Sequence, residues 1–258
     1  MYKRVRMTRL PKIHSTPSRF SSTIDASRLK FTPTSSPKAR VAKESLKFGV
    51  TTSDHILEVD WDSTSGWHAP LISPYRPFQL DPACSVFHYG LAAFEGMKAY
   101  KDARGGVRLF RPDMNMKRLA RSMARLALGP PLDQDGYLDC IKRLTLSEAS
   151  WIPSGEGYSL YLRPTVIGTQ PTLGVGPSNF LKLFTIACPV GPYYPEGFKP
   201  VAIYAERSAV RAWPGGVGDT KCGGNYAPTI AVQVGLVFMC RQWAVWPGRS
   251  FFYFCYCR

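Results

Sequence analysis

Two β-rich runs bounded by glycine and proline, YSLYLRPTVIG at 158–168 and LKLFTIACP at 181–189, follow two stretches of helical periodicity, and no other feature constrains the fold as much. In the first helical stretch Met116, Leu119, Ala120, Met123, Ala124 and Leu126 recur at helical spacing. Asn115 is its candidate cap, and Lys117, Arg118, Arg121 and Arg125 occupy the other faces. The second runs from about Gly136 to Ser150 with Leu138, Ile141, Leu144 and Leu146 as its apolar positions. Upstream, 47–61 alternates as a half-buried strand does, and 85–110 reads as a hairpin leading into the first helix. The pattern predicts an α+β fold. Hydrophobic residues make up 45% of the chain, enough to bury a core, which excludes disordered and collagen-like classes. The longest apolar candidate, 227–246, is broken by Gln233, Arg241 and Gln242, so no spanning helix and no membrane partner are expected.

The net charge of +15 is not spread evenly. Residues 1–43 carry eleven Lys or Arg against one acid, Asp25, together with twelve Ser or Thr. That is the composition of an organelle transit peptide, so residues 1–43 are expected to be a disordered leader and the protein mitochondrial, with a cytoplasmic location as the alternative. A basic arm for nucleic acid is the competing reading; the absence of interleaved aromatics weakens it, and no nucleic-acid partner is expected. The seven cysteines form no C-x-x-C pair, and His14, His55, His68 and His88 are isolated from one another, so neither a disulfide framework nor a metal site is expected.

The segment VGPYYPEGFKP has three prolines and two glycines in eleven residues, which marks 190–200 as a linker. It separates a small α+β domain at 44–189 from the start of a second domain at 201–233, whose first strand is expected at 201–205. The last 25 residues contain no acid and end in aromatics and cysteines. As a strand that tail, 234–258, would be an apolar edge with no partner in the chain.

One loop concentrates chemical potential. GGVGDTKCGGNY at 215–226 packs five glycines around Lys221. A P-loop needs Gly-Lys followed by Ser or Thr, and a dinucleotide fingerprint needs glycine where Lys221 stands, so neither nucleotide motif is present. The spacing suits a lysine brought close to a planar ligand by backbone free of side chains. It also suits a flexible surface loop with a solvated lysine.

The strings HYGLAAFEGMKAY at 88–100, LFRPDMNMKRLARSMARL at 109–126, SLYLRPTVIGTQPTLGV at 159–175 and GGVGDTKCGGNYAPT at 215–229 resemble branched-chain amino-acid aminotransferases of the fold-type IV pyridoxal-phosphate group. The similarity covers about residues 46–233. It implies a two-domain fold with the small domain complete, a pyridoxal 5'-phosphate cofactor and a homodimer. The implied reaction moves the amino group of leucine, isoleucine or valine to 2-oxoglutarate. By the same resemblance Lys221 is the catalytic lysine that bonds to the cofactor, Tyr226 meets the ring's phenolic oxygen, and Arg118 meets the phosphate. Phe48, Tyr89, Phe94 and Tyr161 correspond to the substrate side-chain pocket, and Arg163 to the residue for the distal carboxylate of glutamate or 2-oxoglutarate. Tyr193 would help close the site, while Leu173 and Val175 would reach a partner subunit.

The family places a glutamate against the pyridine nitrogen downstream of the lysine, and none of the 37 residues after Lys221 is acidic. Most of the large domain is therefore expected to be missing, with 234–258 foreign to the family. The alternative to an active transaminase is a catalytically inactive fragment that interferes with dimers or is degraded.

Overall fold

The computed structural model describes residues 23–192, 203–206, 209–242 and 252–255. In chain order its elements are β1 (Lys30–Phe31), β2 (His55–Asp62), β3 (Gly66–Trp67), β4 (Leu71–Pro74), α1 (Ser85–Tyr89), β5 (Ala92–Phe94), β6 (Met97–Lys101), β7 (Val107–Leu109), α2 (Pro112–Arg125), α3 (Gln134–Ser147), β8 (Ser159–Gly168), β9 (Phe180–Val190), β10 (Ile203–Glu206), α4 (Thr229–Gln242) and β11 (Phe252–Cys255). The fold is α+β, as the alternation of element types implies. Nine strands form one mixed sheet in the order β1-β4-β2-β9-β8-β6-β7, with β3 added to β2 and β5 added to β8.

The central ladder pairs β8 with β9 antiparallel, from Ser159 opposite Val190 to Gly168 opposite Leu181. Along β8 the two faces differ in burial. Leu160, Leu162 and Val166 are buried in the core, while Tyr161, Arg163 and Thr165 on the other face are only partly covered. That period of two is what carries Tyr161 and Arg163 to the functional face. α2 and α3 pack on the core side, where Met116, Leu119, Met123, Tyr137, Ile141 and Leu144 join Leu57, Val59, Leu160 and Leu183.

Both helices depart in detail from the sequence expectation. α2 starts at Pro112, whose missing N–H costs nothing in a first turn, and Asn115 lies inside the helix rather than capping it. Its amide is instead drawn to Glu95 and the Gly96 carbonyl, a tertiary pairing that helical spacing cannot reveal. In α3 the inward positions are Tyr137, Cys140, Ile141, Leu144 and Thr145, whereas Leu146 is 64% exposed. Leu146 follows the buried Leu144 by two residues, about 200° around a helix, so it faces away from the core, while Asp133 caps the helix by accepting from the Gly136 N–H at 3.0 Å. Burial pushes the Cys140 thiol up to about 12 and raises the Tyr137 phenol well above its ordinary value. Strand β2 is shorter than 47–61 and its first five residues are buried, so it is a central strand, not a half-exposed one.

Residues 23–43, expected to belong to a disordered leader, are ordered against the domain. From residue 23 the chain is packed on the domain. Ile24 is buried in the core and its N–H donates to Asp133 Oδ2 at 2.8 Å, while β1 runs parallel to β4. Further on, the Lys38 N–H donates to Asp54 Oδ1 at 2.8 Å, and the Arg40 guanidinium stacks 3.5 Å from the Trp151 ring. Composition averages over such single anchors; full burial of one isoleucine side chain contributes ~1.5–3 kcal/mol to the hold on this basic strap, added to the β1–β4 pairing, the backbone hydrogen bonds and the Arg40–Trp151 stack.

The tail also differs from expectation. Among the described residues, β11 pairs in parallel with β10, Ile203 opposite Phe252 through Glu206 opposite Cys255. An apolar strand leaves its backbone groups unsatisfied until a ladder forms, and β10 supplies one. Most of the expected linker at 190–200 lies outside the described residues. No helix among the described residues is long and apolar enough to cross a membrane, and no group of three His, Cys, Asp or Glu side chains is placed to hold a metal.

Candidate active site

The glycine-rich loop is fixed from both sides. The Lys221 N–H donates to Ser122 Oγ on α2 at 3.0 Å, and the Lys221 carbonyl accepts from the Phe94 N–H on β5 at 2.9 Å. Cys222 bridges to Ala93, and Arg121 Nη2 donates to the Asp219 carbonyl at 2.7 Å. Within the loop Asn225 Nδ2 donates to the Val217 and Thr220 carbonyls at 2.8 and 2.9 Å. A loop with this many directed bonds is a seat for its lysine, not a freely solvated turn.

At that seat Lys221 Nζ lies 3.1 Å from Tyr226 Oη. The ammonium donates, which leaves the phenol's own O–H available to an acceptor beyond it. The Phe94 ring stands beside the pair, its centroid 4.6 Å from Lys221 Nζ and 5.2 Å from the Tyr226 ring. Arg163 stacks on the same Phe94 ring at 4.8 Å and donates from Nη2 to Tyr161 Oη at 2.9 Å. Tyr161 in turn meets Phe48 edge-on at 4.9 Å. Six of the expected residues, Phe48, Phe94, Tyr161, Arg163, Lys221 and Tyr226, therefore form one contiguous cluster.

Gly96 makes room for it: a Cβ there would stand 2.1 Å from Tyr161 Oη. The cluster sits on an open face, with Phe48 58% and Tyr226 39% exposed. A neighbouring cavity of about 630 Å³ is lined by Arg125, Arg211, Trp213, Gly215, Gly216 and Asp219.

Arg118 approaches from α2 already engaged. Its Nε and Nη2 grip the two carboxylate oxygens of Glu95, the second at 2.6 Å, and Glu95 is wholly buried. Glu95 Oε2 also accepts from Asn115 Nδ2 at 3.0 Å and from the Gly96 N–H at 3.1 Å. The Glu95 hydrogen bond raises the Arg118 pKa further above its ordinary value, so the guanidinium is a permanent cation. Its side chain remains 47% exposed. Glu95 and Ser122 were not singled out by sequence, and Asn115 only as a helix cap; the available signal was a lone acid, Glu95, in the apolar string LAAFEGM.

The remaining expected residues are placed differently. Tyr89, at the end of α1, donates its hydroxyl to the Leu173 carbonyl, so among the described residues its bond is to the 169–178 loop rather than to the Lys221 cluster. Leu173 and Val175 in that loop are 61% and 84% exposed. Tyr193 lies outside the described residues.

No protein-family model matches the chain. Curated proteins do. The branched-chain-amino-acid aminotransferase of Monosiga brevicollis is 54% identical over 212 residues, 82% of this chain and 54% of that protein. Over that stretch the chain is similar in sequence to branched-chain-amino-acid aminotransferases. The mitochondrial branched-chain-amino-acid aminotransferase of Rattus norvegicus is 49% identical over 215 residues, 83% of this chain and 54% of its own length. The cytosolic enzyme of that name from Saccharomyces cerevisiae is 45% identical over 211 residues, 82% of this chain and 56% of its own. The chain thus spans about half the length of the curated relatives it matches. Among solved structures, a T.th. branched-chain amino acid aminotransferase with pyridoxamine 5'-phosphate superposes with a TM-score of 0.54 at 25% identity, over 70% of this chain and 56% of that one. The branched-chain aminotransferase fold is therefore present here in part.

Proposed function

We propose that this chain carries the lysine-bearing part of a pyridoxal 5'-phosphate site serving branched-chain amino-acid transamination, in which leucine, isoleucine or valine gives its amino group to 2-oxoglutarate. The observation that carries the reading is Lys221 Nζ held 3.1 Å from Tyr226 Oη beside Phe94. The donor set fits the cofactor's chemistry: an amine for its carbonyl carbon, a phenol O–H for its ring oxygen and a fixed guanidinium for its phosphate. When bound, the cofactor supplies an electron sink for charge developing at the substrate's α-carbon.

The chain's own residues do the rest. Lys221 Nζ is the base for the α-proton, placed by backbone bonds on both sides. Phe48, Phe94 and Tyr161 give an aliphatic side chain apolar walls, and Arg163, preset by Tyr161 Oη, meets the distal carboxylate of glutamate or 2-oxoglutarate. Leu173 and Val175, exposed beside Tyr89, present an apolar loop suited to a second copy of the chain. The acid-free stretch before Asp25 supports import into mitochondria.

The test is reductive trapping. The 258-residue chain is mixed with pyridoxal phosphate, reduced with borohydride and mapped by peptide mass spectrometry. Labelling of Lys221 that is abolished in Lys221→Ala and weakened in Arg118→Ala is expected. No adduct on soluble protein would reject the cofactor reading and leave an inactive fragment. Amino transfer from leucine to 2-oxoglutarate, followed on the labelled protein, tests the reaction itself.

A further inference from the structure

Glu95 presents an electrostatic puzzle. It is a carboxylate with no solvent exposure, next to the one guanidinium assigned to a phosphate dianion. By charge alone it is in the wrong place, since a buried negative charge beside an anion site opposes the anion. Its geometry points elsewhere. Both of its oxygens are taken by one edge of Arg118, and Asn115 Nδ2 and the Gly96 N–H fix the carboxylate from behind. The Gly96 carbonyl also accepts from Asn115 Nδ2 at 3.0 Å, tying the amide to the turn between β5 and β6.

A guanidinium held by Nε and Nη2 can rotate about neither its last side-chain bonds nor its plane. Only Nη1 and one Nη2 hydrogen remain to project outward, and they lie in a fixed plane. Arg118 has a long, half-exposed side chain that would otherwise sample many rotamers. The Glu95 turn is also continuous with the rest of the cluster: Phe94 precedes it, and Gly96 follows it where Tyr161 Oη approaches.

We propose that Glu95 is a positioning residue that aims the Arg118 guanidinium at the cofactor phosphate, and that the gain in alignment outweighs the repulsion its charge brings. The inference rests on the pyridoxal-phosphate reading above. It makes a prediction of sign. If charge balance governs the site, Glu95→Gln removes a repulsive anion and pyridoxal phosphate binds more tightly. If alignment governs it, the same substitution loosens Arg118 and binding weakens.

The experiment measures the affinity of the full chain for pyridoxal phosphate and, in parallel, for pyridoxal, which lacks the phosphate, from the absorbance of the lysine-bound chromophore. Unsubstituted protein must form the Lys221 adduct with both. In Glu95→Gln, pyridoxal phosphate is expected to bind about tenfold more weakly, the loss typical of one charge-assisted hydrogen-bonded contact, with pyridoxal unchanged. Asn115→Ala keeps both charges and removes one support of the carboxylate, so a smaller loss confined to the phosphorylated ligand is expected there. Equal or tighter pyridoxal phosphate binding in Glu95→Gln overturns the proposal. So does an equal loss for both ligands, which marks Glu95 as merely structural. Absence of any adduct on unsubstituted protein, read before the variants, rejects the cofactor reading and this inference together.

Discussion

Two buried glutamates in this molecule have opposite surroundings. Glu148, at the end of α3, closes a circuit: its Oε2 accepts from the Asp54 N–H at 2.8 Å, and its Oε1 pairs with His55 Nδ1 at 2.7 Å. His55 Nε2 accepts from the Thr34 N–H at 3.0 Å, which assigns the ring proton to Nδ1. Asp54 accepts from Lys38 N–H and Trp151 Nε1, both at 2.8 Å. Most partners of that circuit are interior, and its work is to clasp residues 34–40 onto the domain. Glu95 is equally buried but holds a side chain that reaches out. The difference teaches that a buried acid is informative chiefly through its partner: one that satisfies a neighbouring backbone is architecture, and one that fixes a half-exposed cation is preparing a surface.

That contrast can be broken in graded steps. The largest effect is expected from Glu148→Ala, which leaves the His55 Nδ1–H and the Asp54 N–H without an acceptor in the interior and costs ~3 kcal/mol of stability or more, read as a lowered urea midpoint. Protein that remains folded should still label at Lys221; loss of labelling without loss of stability would erase the distinction between the two glutamates. Next, Ile24→Ala opens a cavity where the strap meets α3 and should cost ~2–4 kcal/mol, with trypsin cutting after Lys38 and Arg40 accelerated. An unchanged cleavage rate would show that the strap is held by the polar clasp alone.

The Glu95→Gln change in pyridoxal phosphate affinity, about tenfold or ~1.4 kcal/mol, comes third, and there stability should move less than binding. The smallest effect concerns acid. Burial alone would raise the Asp54 pKa, but the Lys38 N–H, the Trp151 indole and Arg40 more than offset it, so the group is held below the ordinary carboxylate range. A depressed carboxylate contributes stability above its unfolded value, near pH ~4, and loses it as pH falls through the folded value. Trp151 fluorescence should therefore stay constant from neutral pH down to about pH 4 and change only below it. A transition near neutral pH would show that Asp54 does not govern the clasp.

Much of the fold was legible along the chain. The β-rich composition of 158–168 and 181–189 between glycine and proline boundaries marked the central ladder, and Met116, Leu119 and Met123 marked the inward face of α2, because both signals lie within a single element. The strap was misread because its hold rests on single contacts: Ile24 to Asp133 spans 109 residues, and Asp54 to Trp151 spans 97. Asn115 looked like a cap because cap residues and site residues share the same chemistry. Only the placement of Glu95 opposite α2 shows which role it has.

The sequence by itself determined the element types, the family likeness of the four strings and the five-residue spacing that pairs Lys221 with Tyr226. The tertiary structure decided what seats that lysine and what aims that arginine. Ser122 Oγ, 99 residues away, accepts from the lysine's backbone, and Glu95, 23 residues away, grips Arg118. Local propensity acts over a turn or a strand, whereas a buried charge finds its partner only after strand register and helix packing have brought distant residues within hydrogen-bonding distance.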